Sequence, residues 1–176
     1  MFQYRNLCEN EIDLDLFKGF IRHQVVTKCW RKEKGKWIVK DDPFIDDWTE
    51  EEYEELVLFL KNTVRLGGLV YAVFYNSQLK GFVSVERTVF GGFHKYLDLS
   101  NIYVSEDMRN QGIGKILFDK AKKWAKKQGA NKLYISSHSA VESQAFYKKM
   151  GCVEAEKYDQ KHTEKEPYDC QLECEL

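Results

Sequence analysis

No apolar run in this chain approaches the roughly 18 residues that would cross a bilayer, and the N-terminus has no basic stretch leading into an apolar signal segment. A soluble, cytoplasmic protein is expected. Neither sign of charge prevails: 27 Lys and Arg stand against 28 Asp and Glu, so general attraction to nucleic acid or to an anionic membrane is not expected. The five cysteines, Cys8, Cys29, Cys152, Cys170 and Cys174, are odd in number, scattered and without a C-x-x-C pair, which argues against a disulfide framework and a metal site. Cys170 and Cys174 would share one strand face but lie about 13 Å apart, too far for a disulfide. His23, His94, His138 and His162 show no metal-ligand spacing and read as surface residues. Repeats, low-complexity tracts and linkers are missing too. A chain of 176 residues can bury about two thirds of its unfolded surface in one core, so residues 1–176 are expected to form one domain.

What the sequence does have is Arg109-Asn110-Gln111-Gly112-Ile113-Gly114-Lys115, placed between an apolar run at 97–104 and an amphipathic helix expected over 113–128. Closely spaced glycines let backbone N–H groups converge, and a helix N-terminus adds unsatisfied donors and partial positive charge. The segment reads as an anion cradle. A dinucleotide fingerprint would need a glycine where Leu117 stands, and no acidic ribose partner closes a following strand. A Walker A loop occurs nowhere. Downstream, a short strand at 133–137 precedes Ala145-Phe146-Tyr147-Lys148-Lys149-Met150-Gly151-Cys152-Val153.

These two segments resemble motifs A and B of the GNAT superfamily of acetyl-coenzyme A dependent N-acetyltransferases, over residues from roughly 69 to 153. Arg109, Gly112 and Gly114 fill the places of motif A, and Phe146-Tyr147 and Gly151 those of motif B. Cys152 replaces the usual aromatic, and Ala140 a frequent asparagine. The resemblance implies that Ile102, Tyr103 and Val104 pair with the pantetheine arm. It also implies that Arg109, Asn110, Gln111, Gly112, Ile113, Gly114 and Lys115 take the pyrophosphate, so acetyl-CoA is expected as donor substrate, with no metal.

For the chemistry, a free alkyl amine with a pKa near ~10 needs about 4 kcal/mol to lose its proton at pH 7, so a base helps. Asp98, whose side chain should share a face with Ser100 and Ile102, and Glu86, on the preceding strand, are the candidate bases. Tyr147 occupies the position whose hydroxyl, in many members of the superfamily, donates to the coenzyme sulfur. A phenol is protonated at neutral pH and suits that task. Cys152 reads as a small core residue rather than a nucleophile, so direct transfer is expected.

Around these motifs, an amphipathic helix is expected from Asn10 with Ile12, Leu16, Phe17, Phe20 and Ile21 inward. An irregular, aromatic-rich connection should follow at 29–48, turning at Asp41-Asp42-Pro43. Thr49-x-x-Glu52 is a capping box for a helix ending near Gly67-Gly68. Runs at 69–75 and 79–89 around Asn76-Ser77-Gln78 signal a hairpin. Strands at 153–158 and 167–176 should flank a polar segment at 159–166. The lysines at 120, 122, 123, 126 and 127 read as the solvated face of a helix.

The fold class expected is α/β (α+β), a mixed, mostly antiparallel central sheet flanked by helices. Trp30, Trp37, Phe44 and Trp48, with Asp41, Asp42, Asp46 and Asp47, would either wall a pocket for an organic cation or form a loop's own minicore and rim. The leading reading is acetylation of a small-molecule amine. A protein or peptide N-acetyltransferase and a non-catalytic acetyl-CoA-binding module are the alternatives. The superfamily often dimerises, which keeps a homodimer open.

Overall fold

The β-branched and aromatic runs become the strands of one seven-stranded sheet in the computed structural model, which describes residues 1–176. In chain order the elements are β1 (Phe2–Asn6), β2 (His23–Glu33), β3 (Lys36–Asp47), α1 (Glu50–Arg65), β4 (Leu69–Tyr75), β5 (Gln78–Val85), β6 (Tyr96–Val104), α2 (Ile113–Lys127), β7 (Lys132–Ser137), α3 (Val141–Lys149), β8 (Val153–Glu154), α4 (Gln160–Lys165) and β9 (Cys170–Glu175). The strand order is β1-β4-β5-β6-β7-β9-β8, with β6 and β7 as the one parallel pair. A parallel pair needs a crossover, and α2 supplies it. This is the mixed, mostly antiparallel sheet with flanking helices that the sequence patterns imply.

Each face of the sheet buries its own core. Leu97, Leu133 and Ile135 meet Leu117 and Phe118 of α2 on one side. Val70 and Phe82 meet Leu60 of α1, Ile12 and Phe17 on the other. α1 begins where the capping box places it: Thr49 Oγ1 accepts from the Glu52 N–H at 3.2 Å, and the Glu52 carboxylate accepts from the Thr49 N–H at 2.7 Å.

Four local expectations are corrected. The helix expected from Asn10 is two 3-10 turns, Glu9–Glu11 and Leu14–Phe17. Asp13 accepts from the Leu16 N–H at 2.9 Å and restarts the turn, while Ile12, Phe17 and Phe20 still reach the core and Ile21 stays exposed. Most of the connection at 29–48 lies in a long hairpin, β2 against β3 from His23↔Asp47 to Glu33↔Lys36, turning at Lys34-Gly35. Asp42 and Pro43 sit inside β3 as a bulge opposite Thr27, and the missing N–H of Pro43 is tolerated because β3 has no second neighbour. The polar segment at 159–166 holds α4, whose first turn starts with Asp159 accepting from the His162 N–H at 3.3 Å, and the strand before it shrinks to Val153–Glu154. The strand expected to reach residue 89 stops at Val85.

One further correction bears on the site. The pairing of β5 with β6 slips between Ser84↔Asn101 and Val85↔Leu99, leaving Ser100 as an extra residue. Leu97 and Leu99 before the bulge, and Ile102 and Val104 after it, therefore all pack toward α2, whereas Tyr103 packs toward α1. Asp98 does not share the face of Ile102, because simple alternation fails across Ser100.

Candidate active site

β6 and β7 pair only from Tyr96↔Lys132 to Asp98↔Tyr134 and then splay apart. From Leu99 to Val104 the edge of β6 toward β7 has no strand partner, so its backbone donors and acceptors face an open cleft. Ile102, Tyr103 and Val104 line that edge, half-buried.

At the upper end of β6 the chain enters the cradle. Asn110 and Gly112 adopt left-handed backbone, with φ of 62° and 80°. Alternating right- and left-handed residues turn successive N–H groups toward one concavity. None of the backbone N–H groups from Asn110 to Lys115 finds an acceptor in the protein. A Cβ on Gly112 would meet nothing within 4 Å, so backbone conformation and open space both mark this position. Gly114 serves differently: a Cβ there would stand 3.0 Å from the Phe146 ring, so the glycine lets α3 close on the first turn of α2.

Side chains complete the cradle. Arg109 donates from Nε to the Val104 carbonyl at 3.2 Å and has no carboxylate partner, which leaves the terminal nitrogens of its guanidinium for an anion. Burial and the nearby Arg22 cation both disfavour its charge, and an incoming phosphate would relieve that. The Lys115 ammonium is engaged with Asp119 at 2.6 Å and Gln111 contacts the Met108 sulfur at 3.7 Å, so these residues offer their backbone rather than their side chains.

Tyr147 lies on α3 among core residues, next to Phe118 and Phe146. Burial pushes its phenol well above the ordinary value. Its hydroxyl makes no hydrogen bond in the protein, and Arg22 Nε is the only sealed side-chain polar atom without a partner, so the phenol oxygen keeps some contact with solvent.

The two candidate bases stand together at the lower end of the splay. Glu86, just beyond β5, accepts from Thr63 Oγ1 at 2.7 Å and from Ser100 Oγ at 3.0 Å. Burial raises its pKa against those two donors, and the neighbouring Asp98 adds to the rise. The Asp98 carboxylate is held by His162 Nε2 at 2.8 Å, and Asp159 holds the other ring nitrogen at 2.5 Å.

Flanked by two carboxylates, His162 has its pKa raised to about 9, first by Asp98 and then, after opposing burial, by Asp159. An unfolded histidine titrates near ~6.5, so this stabilisation is complete below that pH and is lost as pH rises through about 9. We expect His162→Asn to cost on the order of 2 kcal/mol at pH 6, allowing for the part of the ring that faces water, and to cost little by pH 10. Urea denaturation of both proteins at the two pH values checks it.

The aromatic segment divides. Trp48 meets Tyr103 edge-on at 4.7 Å, and Phe44 packs 5.4 Å from His138, so these two border the cleft. Trp30 and Trp37 pack elsewhere on the core, with Trp37 Nε1 donating to Glu154 at 3.1 Å. Asp46 and Asp42 are paired with Arg22 and Arg31. Three residues of this region had no motif to announce them. His162 sits in a polar run without apolar periodicity; buried Arg22 stacks on Trp48 and Tyr103; and Asp169, before β9, accepts from Ser136 Oγ at 3.0 Å.

A sequence model of the acetyltransferase (GNAT) family matches residues 30–152, which include the splayed strands, the cradle and α3. The chain belongs to this family. An uncharacterized N-acetyltransferase of Methanocaldococcus jannaschii is 27% identical over 167 residues, and the match covers 88% of this chain but only 62% of that relative's length. Among solved structures, a Bacillus anthracis protein provisionally designated streptothricin acetyltransferase, in complex with acetyl coenzyme A, superposes with a TM-score of 0.72 at 20% identity, covering 100% of this chain and 99% of that one. A paia N-acetyltransferase of Thermoplasma acidophilum in complex with coenzyme A does so with a TM-score of 0.62 at 17% identity, covering 100% and 99%. Nourseothricin acetyltransferase gives 0.64 at 15% identity, covering 98% and 95%. No helix of this family member is long and apolar enough to cross a membrane.

Proposed function

We propose that this acetyltransferase moves the acetyl group of acetyl-coenzyme A directly to a primary amine of a small molecule. The observation that carries the donor is the run of unsatisfied N–H groups from Asn110 to Lys115 at the end of an unpaired β6 edge. The pyrophosphate fits the cradle, with Arg109 adding a charge-assisted contact, and the pantetheine arm fits the edge from Val104 back toward Ser100. At about 3.3 Å per residue, an arm running five residues along β6 brings the thioester down beside the bulge, between Glu86 and Tyr147.

The small acceptor is supported by the roof of the cleft. The β2–β3 hairpin and the Trp48 that follows it reach both sides of the splay. Trp48 touches Tyr103 of β6, while the Trp30 N–H donates to the Ser139 carbonyl at 2.8 Å and Arg31 to Ser139 Oγ at 2.7 Å beyond β7. An extended peptide would need a trough open at both ends. The neighbours named for streptothricin and nourseothricin favour the same class. In this reading, Glu86 and Asp98 give the lower cleft a negative lining for a cationic acceptor, and Tyr147 donates to the sulfur as the thioester breaks.

A screen for thiol release from acetyl-coenzyme A with small amines and with peptides tests the proposal. Turnover with a small primary amine is expected. Turnover confined to peptides would overturn the acceptor class, and tight coenzyme binding without turnover would overturn the reaction.

A further inference from the structure

We propose that Asp169 receives the acceptor's ammonium group and takes its proton, a role that rests on the reading of this chain as an amine acetyltransferase. Asp169 ends the turn after α4, and the next residue, Cys170, pairs with Ser137 at the upper end of β7. That places it on the β7 wall of the splay, opposite the β6 edge assigned to the donor. The Ser136 hydroxyl donates to Oδ2 at 3.0 Å and orients the carboxyl, while Oδ1 has no donor in the protein.

What distinguishes Asp169 is that, partly buried, it has no direct ion pair. Asp98 is committed to His162, Asp42 to Arg31 and Asp46 to Arg22, while Glu166, which is also unpaired, is exposed. Glu86 holds two hydroxyl donors at the lower end. Asp169 is half-buried with no ion-pair partner, and a carboxylate taken partly out of water without a counter-ion is costly to keep. An ammonium entering from the acceptor side supplies the missing charge and a donor for Oδ1.

The surroundings also make Asp169 a better proton acceptor than an exposed aspartate. Burial raises its pKa and Glu166 adds to the rise, against Ser136, His138 and His162. Tyr103 of β6, Tyr147 of α3 and Cys170 of β9 are the remaining titratable neighbours, and each feels its charge. The step balances. The ammonium N–H bond breaks, its proton goes to Oδ1 and on to solvent, and the nitrogen lone pair forms the bond to the acetyl carbon. The C–S bond then breaks with its electron pair on sulfur. The second proton lost by nitrogen matches the one the sulfur gains, giving amide, free thiol and one proton in solution.

Asp169→Asn tests this with 1,4-diaminobutane, because the amide oxygen can still accept from Ser136 while the charge is gone. We expect kcat/KM for the diamine to fall about 100-fold at pH 7, and the deficit to shrink as pH approaches the amine's own pKa. Coenzyme A affinity by calorimetry is expected to stay unchanged. Equal kcat/KM and equal pH profiles for the two proteins would overturn the role of Asp169 and leave the acetyltransferase reading standing. Should the wild type turn over no amine, that reading fails, and docking is judged by melting with 1,4-diaminobutane and coenzyme A present. Stabilisation by the diamine that D169N loses supports it; equal or absent stabilisation overturns it. If D169N does not fold, Ser136→Ala is expected to raise the KM for the diamine several-fold at constant coenzyme affinity, and an unchanged KM overturns the proposal.

Discussion

Tyr147→Phe is expected to lower kcat by about 100-fold while the affinity for coenzyme A changes less than about twofold. The direction of the phenol's pKa decides which kind of assistance it gives. A thiol titrates near ~8.5 and a free phenol near ~10, and burial moves this phenol higher still. Complete proton transfer from Tyr147 to a departing thiolate is therefore uphill, whereas a hydrogen bond from a permanently protonated hydroxyl is available throughout. The hydroxyl has no competing acceptor in the protein, so it is free to donate as charge develops on sulfur. Phenylalanine keeps the ring contacts with Phe118 and Phe146, so a large fall in kcat with an unchanged melting temperature would isolate the hydroxyl. An acyl donor with a more acidic thiol should narrow the gap between the two proteins. Unchanged turnover would return Tyr147 to the role of a packing residue.

Gly112→Asp is expected to weaken coenzyme A binding by 10²–10³-fold while the protein stays folded. Gly112 is the N-cap residue of α2, its backbone is left-handed, and the space a side chain would enter is empty. Aspartate tolerates the left-handed region better than most residues, so strain costs about 1 kcal/mol. The electrostatic effect is larger. A carboxylate about 4 Å from a phosphate charge is repelled by about 4 kcal/mol at the effective dielectric of a protein surface, and it also occupies the partial positive charge of the helix end. Gly112→Ala carries the strain without the charge and should lose less than about tenfold. Calorimetric titration with coenzyme A, alongside melting curves of both variants, separates the two contributions; equal losses would mean that backbone conformation, not charge, governs the cradle.

Much of the donor side was legible because its physics is local. Glycine spacing ahead of an amphipathic helix defines a cradle within seven residues, and Thr49 with Glu52 starts α1 regardless of what the helix packs against. The acceptor side depends on contacts between distant segments. The β2–β3 strands have little of the period-two pattern that betrays a strand, since Val25 and Ile45 stay exposed on one face while charged residues interrupt both. The apolar residues at 12, 16, 17 and 20 keep helical spacing, yet Asp13 diverts the backbone into short turns lying against α1. Asp169 and His162 meet Ser136 and Asp98 only when the polar segment folds back over β6 and β7, and nothing in the spacing of a polar run foretells that. Asp98 was legible as a carboxylate near the cleft, but its pairing with His162 was not.

The extra residue at Ser100 means that β6 is read in two frames. Below it, even-numbered positions look toward the α1 side; above it, odd-numbered ones do. A deletion of this one serine would straighten β6 into regular alternation with Leu99, Ile102 and Val104 still toward α2, so its cost would be the local bend and the Ser100 hydroxyl contacts with Ser84 and Glu86 rather than an exchange of faces.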